Sequence, residues 1–330
     1  MPVSNLRRHL LATAATLTLA GLSATALAAD KITLRLSSPS SPTDQRAVAM
    51  TSVFAPAVAE FATFEGHWNA SLFKQGTELE AISRGNLEMS IASAQELAEF
   101  FPEFSIFSAG YLHRDAAHQV KVFNADLFKP FKQKVEDKLG VKLLAVMYLG
   151  RRQLNLRTDK QINTPEDLAG VKLRMPGSDA WQFLGRALGA NPTPMAFTEV
   201  YTALQTGAID GQDNPLPTDK DAKFYEVTKQ IVLTSHLVDL NYLTLGKKVW
   251  DKLTPAQQKT LQKAADDACE SGRQKQLALE TELEQFFKDK GLKVYTPNVE
   301  AFRKHVQKAY LESEISKSWP KGLVEQINAL

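Results

Sequence analysis

Thr164-Pro165-Glu166-Asp167-Leu168-Ala169-Gly170-Val171-Lys172-Leu173-Arg174-Met175-Pro176 is the segment on which the fold turns. Thr164 is a good N-cap, Pro165 suits the first helical position, Asp167 sits where a capping box places its acceptor, and Gly170 can close the short helix in a left-handed conformation. Val171, Leu173 and Met175 then alternate with Lys172 and Arg174 up to Pro176, the period of a strand with one apolar face. A capped helix feeding such a strand is the repeating unit of an α/β sheet. It puts Arg174 at the strand's exit, opposite the apolar residues and at the lip of a lobe. Beyond it, Ser178 caps another helix closed by Gly189, and Asn191 to Pro194 read as a turn. The helix Thr198 to Thr206 ends at Gly207 and leads into Ala208-Ile209-Asp210-Gly211-Gln212-Asp213-Asn214-Pro215.

Toward the N-terminus, Ile32, Leu34 and Leu36 alternate with Thr33 and Arg35, and a polar loop, Ser37 to Pro42, follows. Thr43 or Asp44 can cap the next helix. The same strand, loop and helix alternation recurs to about residue 245, which predicts α/β lobes with ligand sites at the carboxyl ends of strands. Thr77 to Glu88 echoes Thr198 to Asp210: a short amphipathic helix ending at glycine (Gly85, Gly207) before an apolar strand, as two similar facing lobes would show. From Thr254 to about Asp289 only Gly272 interrupts a helical pattern of Leu261, Ala265, Ala268, Leu279, Leu283 and Phe286. At ~1.5 Å per residue such a helix is about 50 Å long and spans both lobes. A coiled-coil seam is the competing reading of its stripe.

The chain has 330 residues, 44% hydrophobic and 23% charged, which suits two globular lobes and excludes collagenous or disordered classes. Residues 1–28 read as a secretory signal peptide: Arg7 and Arg8, an apolar run from Leu10 to Leu22, and the small-x-small site Ala26-Leu27-Ala28 before Ala29. An uncleaved anchor is disfavoured because Thr13, Thr16 and Thr18 interrupt the run. The paired arginines also faintly suggest the twin-arginine route. Without Arg7 and Arg8 the 39 basic residues become 37, against 37 acidic. A neutral mature chain has no general attraction to nucleic acid or anionic lipid, so any anion binding must be local. Cys269 stands alone and reads as a packed thiol.

Catalytic motifs are missing: no G-x-S-x-G, G-x-G-x-x-G, Walker loop, H-E-x-x-H or cysteine pair occurs. The histidines show no tight ligand-spaced cluster, so neither cofactor nor metal is expected. His236 merits attention because it follows a strand pattern and lies near Asp239 and Asn241. Two arginine-bearing strand ends carry the chemistry instead: Tyr148-Leu149-Gly150-Arg151-Arg152-Gln153, and Val171 to Pro176. A guanidinium presents a planar fork of donors that matches a carboxylate bidentately.

The run Gly170-Val-Lys-Leu-Arg174-Met-Pro, followed by Asn191-Pro-Thr-Pro-Met-Ala-Phe197 and Gly207-Ala-Ile-Asp-Gly-Gln-Asp-Asn214-Pro, resembles the DctP-type solute-binding proteins of tripartite ATP-independent periplasmic (TRAP) transporters. The resemblance covers essentially the whole mature chain. It implies a two-lobed α/β clamp with crossing strands and a long C-terminal helix, not an enzyme. Such a clamp works in the periplasm, closing on a small organic acid and handing it to small and large membrane subunits. Lobe I would comprise 29–149 with 240–279, and lobe II 150–239 with 280–330. By resemblance Arg174 grips the ligand carboxylate, Arg152 is the second basic contact with Arg151 its one-residue alternative, Asn214 is a polar contact, and Phe197 forms a wall. Tyr148, Ser37, Ser38, Ser93 and Gln95 occupy segments that line the cleft in relatives.

Where sialic-acid-binding relatives carry a glutamate, this chain has Ala92, Ser93 and Ala94, which argues against an amino-sugar acid. C4-dicarboxylates, sugar acids, keto acids and aromatic acids stay open. Arg151 tilts the expectation toward a dicarboxylate or sugar acid. Two other functions compete: a ligand sensor presenting the closed clamp to a receptor, and a periplasmic lyase or isomerase using Arg174 as anchor with His236 or Asp210 as acid/base.

Overall fold

Nine strands in one sheet organise residues 31–330, which the computed structural model describes; the leader read at residues 1–28 lies outside the described residues. The strands are β1 (Ile32–Ser37), β2 (Ala62–His67), β3 (Met89–Ser93), β4 (Val141–Leu156), β5 (Lys172–Met175), β6 (Asn191–Pro194), β7 (Gly211–Pro215), β8 (Gln230–Gly246) and β9 (Lys293–Tyr295). Their order is β2-β1-β3-β8-β4-β7-β5-β6, with β9 beside β8.

The sheet is built twice over the same plan. β1 runs parallel to β2 and β3, and β5 runs parallel to β6 and β7. β3 then pairs antiparallel with β8, and β7 antiparallel with β4. The echo in the sequence is this repeat: helices Glu78–Arg84 and Val200–Thr206 end at Gly85 (φ 82°) and Gly207 (φ 80°), and each feeds the strand that borders the crossing pair. Left-handed caps of this kind favour glycine because it has no Cβ to clash.

β4 and β8, 16 and 17 residues long, cross between the halves and pair with each other along most of their length. At ~3.3 Å per residue they reach about 50 Å, enough to serve both lobes. Their register shifts between Tyr148 and Gly150 and again between Arg152 and Leu154. Gly150 has φ 130°, and a Cβ there would stand 2.6 Å from Pro215 Cβ and Glu280 Oε1. Only glycine fits this bulge, and the bulge decides which neighbouring side chains face the cleft.

The helix Pro255–Asp289 is 35 residues long and starts with a Thr254/Gln257 capping box. Ala264, Ala265 and Ala268 are buried, and a Cβ on Gly272 would lie 3.4 Å from Ala49 Cβ, so its small residues bring it close to the helix Gln45–Ala49. Farther along, Leu283 and Phe287 pack with Leu216 and Ile231 of the other half. The helix serves both lobes, and its apolar stripe is covered by its own chain, which leaves no seam for a coiled coil. Cys269 is buried in the same packing, which pushes its thiol up.

Asn191 to Pro194 form β6, paired parallel with β5, rather than a turn. Pro192 and Pro194 lack N–H donors, and an edge strand is where a sheet tolerates that; β6 closes one end of the strand order.

Candidate functional site

The carboxyl ends of β3, β5 and β7 meet the bulged middle of β4 at an inner chamber of about 60 Å³. An outer chamber of about 530 Å³ adjoins it, and Gln75, Glu96, Pro176 and Trp181 wall both. Arg174, Arg152, Asn214, Phe197 and Ser93 all line the inner one.

Arg174 sits deeper than a lip. It is 1% exposed, its guanidinium carbon lies 5.8 Å from the Phe197 ring centre, and its Nε donates to Met195 O at 2.9 Å. Nη2 reaches Gln75 Oε1 at 3.4 Å. Among the described residues no carboxylate forms an ion pair with it. Burial pulls its pKa down to about 9, with Asp213 opposing that shift and Arg152 adding to it. The group therefore stays cationic at neutral pH with no carboxylate paired directly to it, and a buried cation without such a partner is costly.

Arg152 is the opposite case. Its Nε donates to Asp239 Oδ2 at 2.6 Å, its Nη1 lies 3.2 Å from Asp213 Oδ2, and its guanidinium carbon stacks 4.3 Å from the Trp181 ring centre. Burial pushes the Asp213 carboxyl up, yet Arg152 and the His236 hydrogen bond hold it below the usual carboxylate range. His236 Nε2 lies 3.0 Å from Asp213 Oδ2 and its Nδ1 2.7 Å from Thr234 Oγ1. His236 thus fixes the carboxylate that fixes Arg152. Asn214 donates to Gln212 Oε1, and Thr218 lines the chamber with a buried hydroxyl that has no partner among the described residues.

A second cluster across the chamber was not singled out from the sequence. Arg46 donates from Nε and Nη2 to the two oxygens of Asp44, both at 2.9 Å, and from Nη1 to Asn241 Oδ1 at 2.8 Å. Glu96 closes a capping box with Ser93, its Oε2 accepting from Ser93 N at 2.8 Å. Burial pushes the Glu96 carboxyl up. The Ser93-x-x-Glu96 spacing is a capping signature that could have flagged Glu96; nothing local joins Arg46 to Asn241.

Side chains around the chamber tie the halves to each other. Gln75 Oε1 accepts from Phe197 N at 2.8 Å as well as from Arg174. Ser41 and Thr43 both donate to Asp221. Glu99 Oε1 accepts from Asp179 N at 3.1 Å, at the start of the helix Asp179–Ala187.

Seven expected positions lie elsewhere. Arg151 points away from the chamber, Nη2 donating to Arg114 O at 3.0 Å, because strand neighbours face opposite sides and Arg152 takes the inner one. The bulge shifts that alternation, so Leu149 lines the chamber while Tyr148 turns to the other side, buried against Ala116 and Val238, and donates to Glu280 Oε2 at 2.9 Å. Ser37 Oγ accepts from Phe73 N at 3.2 Å, and Ser38 bonds Ser40, which lines the chamber in its stead. Gln95 is buried behind the strand end with its side-chain amide unpartnered among the described residues. His236 is fully buried behind Asp213. Asp210 is tied to Lys172 N at 2.9 Å and does not line the chamber, so neither His236 nor Asp210 reaches it as the acid/base a lyase would need.

Two repeated α/β halves, crossing strands and a buried, uncompensated guanidinium between them define a two-lobed clamp for a small organic anion. The family model for bacterial extracellular solute-binding proteins, family 7 (DctP), matches residues 37–317. The chain belongs to that family. A TRAP periplasmic solute-binding protein from Roseobacter denitrificans, crystallised with bound 3-deoxy-D-manno-oct-2-ulosonic acid (KDO), is 65% identical, with TM-score 0.90 over 91% of this chain and 99% of that one. A second protein from that organism, with bound L-galactonate, is 28% identical with TM-score 0.82 over 90% and 99%. The sialic acid-binding periplasmic protein SiaP of Vibrio cholerae is 32% identical over 76% of this chain and 78% of its own. The protein is an extracytoplasmic solute-binding protein of a TRAP transporter for small organic acids, and not an enzyme.

Proposed function

We propose that this protein captures a sugar acid of the 3-deoxy-ulosonate class, with KDO the first candidate, and delivers it to the small and large TRAP membrane subunits after export and cleavage of the 1–28 leader. The observation that carries the reading is Arg174: a buried cation, between closing halves, with no carboxylate of its own among the described residues. A ligand carboxylate supplies the missing charge, and water exclusion strengthens the pair. Asn214, Thr218 and Arg152 stand where they can support that group, and Phe197 covers it. The 65% identity to a protein with bound KDO favours a ulosonic acid over a C4-dicarboxylate. The outward turn of Arg151 removes the reason for expecting a second anionic end. The lobes divide as 29–149 with 240–279 and 150–239 with 280–330, a division supported by where β4 and β8 change neighbours.

Calorimetric titration with KDO is the test. Truncating one partner of a buried charged pair costs ~2–5 kcal/mol, so Arg174→Ala weakens KDO binding at least tenfold. Arg174→Lys, which keeps charge but loses the fork, falls between. Wild-type affinity in Arg174→Ala, or no KDO binding by the wild type, overturns the reading.

A further inference from the structure

Charge is distributed unevenly around the inner chamber. Arg174 has no ion-pair partner, whereas Arg46 is neutralised by a two-point pair with Asp44 and Arg152 by Asp239 and Asp213. A ligand carboxylate is therefore drawn to Arg174, which fixes the orientation of the whole acid. Arg46, Glu96 and Asn241 line the same chamber. Their remaining hydrogen-bonding capacity can be counted. Of the five N–H donors of Arg46, three are used, one by each Asp44 oxygen and one by Asn241. Asn241 spends only its carbonyl oxygen on Arg46, so its amide hydrogens are unused among the described residues. Glu96 commits Oε2 to Ser93 N, and its Oε1 has no hydrogen-bond partner among the described residues. Glu96 is half-buried, and it walls both chambers.

Resting on the sugar-acid reading above, we infer that Arg46, Glu96 and Asn241 form a second, polar pole that reads the hydroxyl groups of the acid's tail, and that this pole sets specificity. Adjacent hydroxyls each carry a donor and acceptor lone pairs, which is what a surface offering unused N–H groups beside an unused carboxyl oxygen can satisfy. An alkyl tail would leave these groups desolvated and unpartnered, the situation by which polar sites reject ligands lacking a hydroxyl. A second carboxylate would face the Glu96 carboxyl while Arg46 is already neutralised by Asp44, so the pole also discriminates against dicarboxylates. The Asp44 pair and the Ser93 capping box hold the pole rigid before the ligand arrives.

The experiment compares KDO with 2-oxooctanoate, which keeps an eight-carbon 2-oxo acid but has no tail hydroxyls, by calorimetry and competition. Wild type binds KDO at least about a hundredfold more tightly. Glu96→Gln retains the volume and an oxygen for the cap, and Arg46→Lys retains the charge; each weakens KDO at least tenfold and 2-oxooctanoate less than twofold. Circular dichroism and unchanged melting establish that both variants fold. Equal affinity of the wild type for the two acids overturns the inference. So does KDO binding within twofold of wild type in both variants, or an equal loss of both acids. If those variants bind normally while Arg174→Ala does not, the tail pole alone falls. If the wild type binds no KDO, the sugar-acid reading falls with it.

Discussion

Arg174 carries two opposed roles in one side chain. Held 1% exposed without a counter-ion, it lowers the stability of the ligand-free protein for the reason that makes it a good anion receptor. Arg174→Met removes the charge while keeping an unbranched side chain, and buried charge replaced by apolar groups is often neutral or stabilising, by ~1–4 kcal/mol. The expected outcome is a melting temperature at or above that of wild type without ligand, together with loss of the thermal shift that KDO gives the wild type. Differential scanning fluorimetry with and without KDO checks both halves; a variant that melts well below wild type yet still shifts with KDO refutes the account. Arg152 differs because its charge is met by Asp239 and Asp213, and Asp213 by His236. Two arginines that look alike in sequence are thus a receptor and a braced wall.

At the level of elements, closure depends on a few side chains that join the β1–β3 half to the β5–β7 half. Asp221 accepts from both Ser41 and Thr43. Asp221→Ala removes both ties without touching the chamber lining, so KDO affinity falls severalfold, with the change in the dissociation rate; stopped-flow measurement is the check, and an unchanged rate denies the contact any part in closure. The elements themselves were legible because their signals are local. The Thr164 cap, the alternation through Met175 and the glycine-terminated helices at Gly85 and Gly207 each act within a few residues. Arg174 and Arg152 could be singled out because they sit in recognisable runs. Arg46 could not, since its partner Asn241 is 195 residues away and only the sheet brings them together. Nor could the turn of Tyr148 and Arg151 away from the chamber, which depends on a one-residue bulge at Gly150 that alternation alone does not reveal.

Across the molecule, buried groups at odds with their surroundings make stability depend on pH, and Glu78, next to the Gly76–Thr77 wall of the outer chamber, is one of them. Glu78, whose Oε2 accepts from Gly76 N at 2.7 Å, has its pKa pushed to about 8 by burial, with the neighbouring Glu96 adding to the shift. An unfolded glutamate ionises near its ordinary value of 4.5. Between that value and about 8 the unfolded chain has released this proton while the folded protein still holds it. Folding then binds a proton, so stability from this group is full below the lower value, declines as pH rises through the window, and levels off above it. Glu78→Gln makes the neutral state permanent and keeps an acceptor for Gly76. The variant therefore melts with wild type at pH 4 and above it at pH 8, the gap widening steadily between. Thermal melts at pH 4, 6 and 8 measure this directly; parallel curves would mean that Glu78 ionises as readily in the folded clamp as in the open chain, and that the cleft does not hold its proton.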